Sequence, residues 1–132
     1  AVARQFLIYT DERAGKVAQL LHHPQGTLVM WSPELGWQLR CRVYLTLEMS
    51  GLAASSRWAR ISLSPSAQDY LSPLPPGSPL DETAEAGHHD AVPRDYFAVI
   101  NAQVQSIDWL ELHAQGHRRA RFDAEGARWI QP

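Results

Sequence analysis

The 132-residue chain is 45% hydrophobic and 20% charged, the balance of one folded domain rather than of a disordered segment. A formal net charge of −2 gives no basic face of the kind nucleic acid needs, and a single cysteine, Cys41, excludes both an internal disulfide and a cysteine-rich zinc site. The lone thiol fits a reducing, cytoplasmic compartment, and no apolar run is long enough for a membrane-spanning helix. No charged-then-apolar leader opens the chain. It begins at Ala1 and enters an apolar segment within a few residues, which predicts that an N-terminal portion of the natural domain is missing.

Phe6 to Tyr9 reads as a short buried strand, after which Thr10 and Asp11 are good helix N-caps. Glu12 to His23 then carries Val17, Leu20 and Leu21 at helical spacing, with Pro24 as the stop. Gly26 to Trp31 is a second strand, and Ser32-Pro33-Glu34-Leu35-Gly36 turns the chain. From Gln38 to Leu47 the alternation is regular: Leu39, Cys41, Val43, Leu45 and Leu47 point one way, Gln38, Arg40, Arg42, Tyr44 and Thr46 the other. Ser55 to Leu63 reads as a helix, and Ser64-Pro65 starts another that ends near Leu71. Ser72 to Arg94, rich in proline, glycine, alanine and acids, is a long loop inside the domain. Tyr96 to Ile100 and Val104 to Leu112 are strands, Ala114-Gln115-Gly116 turns, and His117 to Phe122 returns. A turn over Asp123 to Gly126 leads to a last short strand holding Trp129. Strands at both ends with helices between them predict a mainly-β or α+β fold, an antiparallel barrel carrying a few helices.

Chemistry has a few places to sit. At the junction Tyr9-Thr10-Asp11-Glu12-Arg13-Ala14-Gly15-Lys16, unpaired N–H groups of a helix start, the Thr10 hydroxyl and the Lys16 ammonium together suit a phosphate; an ordinary capped helix with a solvated lysine suits the same residues. With a period of two, His117, Arg119 and Arg121 share a face, either as donors to an anion or as charges guarding an edge strand. Gln38 opens the alternating strand with a side chain that both donates and accepts, as the edge of a planar ring system requires, or is simply a polar outward residue. Five tryptophans (Trp31, Trp37, Trp58, Trp109 and Trp129) are many for a small domain and belong mostly to a core or an interface. The adjacent pairs His22-His23 and His88-His89 do not converge on a metal, and no GxSxG elbow supports a serine triad.

The ordered set FLIYTDERAGKVAQLLHHPQGTLVMW, WQLRCRVYL, LSPSAQDYLSPLPPGSPL, VQSIDWLELHAQGHRRARF and RWIQP resembles the FMN-binding split barrels related to pyridoxamine 5'-phosphate oxidase, in the oxidase-like branch. The resemblance runs over nearly the whole chain. It implies an antiparallel FMN-binding split β-barrel with flanking helices, working as a homodimer with FMN in a cleft at the subunit interface. Carried across by position, Tyr9 and Thr10 match a strand-end pair beside the flavin, and Lys16 matches a phosphate-binding lysine. Gln38 matches a glutamine at the isoalloxazine ring, Leu110 falls where the oxidases have a flavin-contacting tryptophan, and Arg121 matches an arginine that reaches the flavin. His117 and Arg119 fall on the substrate pair.

Departures accompany the match. Gly15-Lys16 stands for an Arg-Lys pair, and His117-Arg118-Arg119 reverses the oxidases' Arg-x-His. The tyrosine–arginine–serine set for the vitamin phosphate is not evident around Arg57, and the arginine-bearing flavin strand would precede Ala1. The resemblance therefore implies an FMN-dependent oxidoreductase acting on a small, anionic substrate. Its alternatives are a flavin-binding protein without turnover, such as a sensor, and a dimeric interaction module that has lost the cofactor.

Overall fold

A computed structural model describes residues 4–48, 58–67, 71–72, 74–80 and 96–132. The elements in chain order are β1 (Gln5–Asp11), α1 (Gly15–His22), β2 (Gln25–Ser32), β3 (Trp37–Glu48), a 3-10 turn (Pro65–Ala67), β4 (Phe97–Glu111), β5 (Arg118–Asp123) and β6 (Gly126–Ile130). Six strands form one mostly antiparallel sheet in the order β2-β3-β4-β5-β6, with β1 also paired to β4. The chain divides into two compact units: Ala1–Phe6, Pro24–Leu45 and Ala102–Pro132 make the first, Leu7–His23 and Thr46–Asn101 the second.

In the first unit the alternation of β3 becomes two chemically distinct faces. Cys41 and Val43 are buried to 1% exposure, while Arg40, Arg42 and Tyr44 between them stand exposed. Burying each such apolar side chain contributes about 2 kcal/mol, so the inward set fixes which way the strand faces. The β2–β3 hairpin pairs Gln25 with Tyr44 and Ser32 with Trp37. Its turn closes on Gly36, whose φ of +65° suits glycine, and the Gly36 carbonyl accepts the Leu112 N–H at 2.8 Å. The β5–β6 hairpin turns in two residues, with Asp123 opposite Gly126 and the Asp123 carboxylate accepting the Glu125 N–H at 3.0 Å.

The second unit is built around the start of β4. Phe97, Ala98, Val99 and Ile100 are all buried, which is why this stretch reads as an unbroken apolar run rather than an alternation. Tyr9 and Trp58 pack their rings on Phe97, at centroid distances of 5.3 and 5.4 Å. Helix α1 buries Val17 and Leu20 but leaves Leu21 at 64% exposure.

Several elements differ from the sequence expectation. Helix α1 starts at Gly15 rather than Glu12, and its N-cap is Ala14, with no side-chain capping bond, rather than Thr10 or Asp11. The cause is Arg13, which takes the Asp11 carboxylate for itself: backbone N–H and Nε donate to Oδ1 at 2.8 and 3.0 Å, and Nη2 donates to Oδ2 at 2.7 Å. A second Nη2 bond reaches the Ser72 carbonyl at 2.8 Å, and the guanidinium lies 3.5 Å over the Tyr96 ring. Asp11 therefore ends β1 instead of starting the helix. The two expected strands over 96–112 are one, Phe97–Glu111, because residues 101–103 continue the pairing: the Val104 N–H donates to the Arg4 carbonyl at 2.9 Å. The Ser64 hydroxyl donates back to the Ile61 carbonyl at 2.6 Å, and a 3-10 turn follows over Pro65–Ala67; of the rest of that expected helix, residues 68–70 lie outside the described residues and Leu71 is helical. Of the expected Ser55–Leu63 helix, residues 58–61 are helical and 55–57 lie outside the described residues, as do His88-His89 and most of the 72–94 loop.

Among the described glycines, Gly36 is the one whose added Cβ would stand closest to another atom. A Cβ there would stand 2.8 Å from the Leu112 carbonyl oxygen, on a backbone that L residues rarely adopt. Gly36→Ala is expected to lower stability by about 2 kcal/mol, read as an earlier urea midpoint with an unchanged slope.

Candidate functional site

Strand register places the polar residues of the first unit. Between β3 and β4, the Gly36–Leu112 bond, the Trp37 Nε1 bond to Glu111 Oε2 at 2.9 Å and the Trp37–Trp109 ring contact show numbers rising on one strand as they fall on the other. Counting inward from Gly36–Leu112 sets Gln38 opposite Leu110 and Arg40 opposite Asp108. With the registers of β2–β3, β4–β5 and β5–β6, one face of the sheet resolves into cross-strand rows. The first row reads Trp31, Gln38, Leu110, Arg119, Ile130; the next reads Val29, Arg40, Asp108, Arg121, Arg128. A third begins with Thr27 and Arg42 and ends with Asp123 and Gly126.

This face holds a groove of about 840 Å³. Five arginines line it (Arg40, Arg42, Arg119, Arg121 and Arg128) against three acids, Asp108, Asp123 and Glu125. Arg119 grips Asp108 with a two-pronged pair, Nε to Oδ1 at 2.9 Å and Nη2 to Oδ2 at 2.5 Å. Arg128 grips Asp123 likewise, with its Nη2 at 2.8 Å, and Arg121 reaches the same carboxylate at 3.5 Å. These contacts set the carboxyl chemistry. Hydrogen bonds from Arg119 hold Asp108 below the usual carboxylate range; partial burial opposes this, and the charges of Arg119, Arg40 and Arg121 reinforce it. Asp123 is lowered for the same reason by Arg128.

The opposite face is apolar. A trench of about 520 Å³ is lined by Trp37, Leu39, Ile107, Trp109, Phe122 and Trp129, among others. Trp109 stands edge-on to Trp37 at 5.5 Å and to Trp129 at 6.0 Å. At its rim Glu111 accepts both the Trp37 indole N–H and the Arg118 fork.

Of the residues singled out from sequence, Gln38, Leu110, Arg119 and Arg121 come together on the polar face. His117 does not join them in the strand: β5 begins one residue later, and the His117 Nδ1 accepts the His113 N–H at 3.1 Å within the turn. Tyr9, Thr10 and Lys16 belong to the second unit. There Tyr9 is 41% exposed, Thr10 is buried, and Lys16 is exposed in the first turn of α1. Sequence reading passed over Asp108. Its place on the same face as Leu110 was visible in the alternation of β4, but its partner Arg119 depends on a register that no local pattern encodes.

No family model and no curated protein sequence matches the chain. Solved structures do. A pyridoxamine 5'-phosphate oxidase-related, FMN-binding protein from Nostoc punctiforme PCC 73102 superposes with a TM-score of 0.75 at 23% identity, covering 99% of this chain and 75% of that one. PhzG from Burkholderia lata 383, solved with tetrahydrophenazine-1-carboxylic acid, gives a TM-score of 0.74 at 16% identity, covering 98% and 69%. The chain has the fold of the pyridoxamine 5'-phosphate oxidase-related proteins. On this split-barrel fold the polar groove and the tryptophan trench occupy opposite faces of one sheet. No helix among the described residues is long and apolar enough to cross a membrane.

The Asp108–Arg119 pair has a definite pH signature. Because the folded-state carboxyl titrates below its ordinary value of about 3.9, its stabilisation is fully present above that value and is lost as pH falls through the lower folded one. Urea midpoints measured from about pH 5 to about pH 2 are expected to fall more steeply for the parent protein than for Asp108→Asn. Equal slopes would remove the pair from the account of acid stability.

Proposed function

We propose that this protein binds FMN and acts as a flavin-dependent oxidoreductase on a small, anionic substrate. The observation that carries the reading is the row on the polar face, in which Gln38 stands opposite Leu110 on a sheet that also presents Arg121. The donor set fits an anionic, planar cofactor. Gln38 offers a donor and an acceptor to a ring edge, Leu110 with Trp31 and Val29 offers apolar surface on the same face, and the half-exposed Arg121 offers positive charge. Bound flavin supplies the redox chemistry; the protein's part is to orient it and to favour the reduced, anionic ring with nearby cations. Lys16, at the start of α1, is the separate candidate for the cofactor phosphate, with Tyr9 and Thr10 as the strand-end pair beside it. His117 and Arg119 are proposed to meet the substrate. A homodimer in the cytoplasm completes the reading, which rests for its fold on the likeness to an FMN-binding protein and for its residues on the sequence resemblance.

A second reading, flavin binding without turnover, draws on one observation. The Arg119 fork is held by Asp108 and the His117 Nδ1 by a backbone N–H, so both proposed substrate groups already have partners.

The test begins with visible absorption after incubation with FMN and gel filtration. Flavin bands that elute with the protein are expected; a folded, colourless protein overturns the flavin reading. Gln38→Ala and Arg121→Ala are each expected to weaken FMN about tenfold in a fluorescence titration, the loss typical of one hydrogen bond involving a charged or ring partner. Lys16→Ala, titrated alone, decides the phosphate assignment. Turnover of reduced flavin with candidate amines or alcohols then separates enzyme from carrier.

A further inference from the structure

The proposed substrate residues leave a charge question open. Arg119 is neutralised by Asp108 and Arg128 by Asp123, so neither brings net charge to an incoming anion. Arg40 and Arg42 are different. They sit two apart on β3, on the same face, in line with Asp108 and with Thr27 respectively. Both are exposed, and among the described residues no carboxylate forms an ion pair with either.

Edge protection does not explain them. β3 lies between β2 and β4, so these arginines guard no open strand edge. The vertical order of charge matters as well. Asp108 and Asp123 are 26% and 17% exposed, whereas the Arg121 and Arg128 side chains are 49% and 45% exposed. Asp108 and Asp123 are thus the more buried ionic groups of the groove, and Arg121 and Arg128 the more exposed, as is Glu125. The groove-lining set carries a net charge of +2 in a chain whose formal net charge is −2. A concave wall of one sign concentrates the field and draws the opposite charge.

We infer that Arg40 and Arg42 form a subsite for a small ligand carrying at least two negative charges, a phosphate ester or a dicarboxylate, distinct from the proposed flavin contacts Gln38, Leu110 and Arg121. This deepens the proposed function by naming the charge class of the substrate, and it rests on that reading only in calling the ligand a substrate. The arginine fork suits both chemistries, since carboxylate and phosphate each accept paired N–H bonds. Succinate and pyrophosphate distinguish them.

The experiment is isothermal titration of pyrophosphate, and separately of succinate, into the full chain at low salt, with and without FMN, using chloride at matched ionic strength as the blank. A saturable one-to-one heat is expected for one of the two anions, weakened at least tenfold by raising salt from about 50 to about 200 mM, as for exposed charges. Arg40→Gln/Arg42→Gln is expected to weaken that anion at least tenfold and leave FMN affinity unchanged; circular dichroism checks that the variant is folded. Arg118→Gln, on the opposite face, is expected to change neither. Absence of a saturable heat for both anions overturns the inference, and so does binding that survives the double change. Competition between anion and FMN, with FMN weakened in the double variant, overturns it by giving the arginines to the cofactor. A shift of the double variant's elution volume without anion binding overturns it by giving them to an acidic surface of a second copy. If FMN itself fails to bind, the anion titration on the flavin-free chain still decides the subsite, so the two failures are told apart.

Discussion

The register of β5 against β4 is the constraint on which the rest of the first unit depends. It pairs Leu110 with Arg119 and Asp108 with Arg121 on one face, and Trp109 with Ala120 on the other. A slip of β5 by one residue would carry Arg119 and Arg121 into the tryptophan trench and Ala120 and Phe122 into the polar groove. Both faces oppose that slip: one would receive guanidiniums parted from their carboxylates, the other an apolar ring. Apolar and ionic requirements thus select the same register.

Within the polar face, the ion pairs sort the arginines by role. A two-pronged guanidinium–carboxylate contact fixes the orientation of both partners, so Arg119 and Arg128 act as struts that hold Asp108 and Asp123 low in the groove. Exposed pairs of this kind add little to stability, and their value here is geometric. The remaining cations, Arg40, Arg42 and Arg121, line the same groove. On the other face the same economy of polar atoms holds: Glu111 answers the Trp37 indole and the Arg118 fork together.

The second unit shows a local competition with a structural consequence. Asp11 has the right chemistry to cap α1, yet Arg13, two residues on, wraps the carboxylate with three donors and adds a bond to Ser72 and a face contact with Tyr96. Hydrogen bonding to Asp11 raises the Arg13 pKa above its ordinary value, so the guanidinium keeps its positive charge. A residue two positions away outcompetes the helix because its bonds involve full charges, whereas a cap answers a partial one.

Alternation along β3 and β5 was legible without any structure, because a period of two is a local property of the chain: it put Cys41 and Val43, which the fold buries, on one face and placed Arg119 and Arg121 on a common face. The hairpin turns at Gly36 and Gly126 were legible for the same reason, since turn chemistry lies in neighbouring residues. The mainly-β class and the split-barrel likeness followed from those patterns and from the ordered resemblance. Tertiary structure alone decided that 97–111 is a single strand, that Asp108 is the ion-pair partner of Arg119, and that among the described residues no carboxylate forms an ion pair with Arg40 or Arg42. Each of those facts depends on which residues from distant parts of the chain lie side by side. The free energy that sets such pairings is summed over the whole sheet, so no short window of sequence contains it.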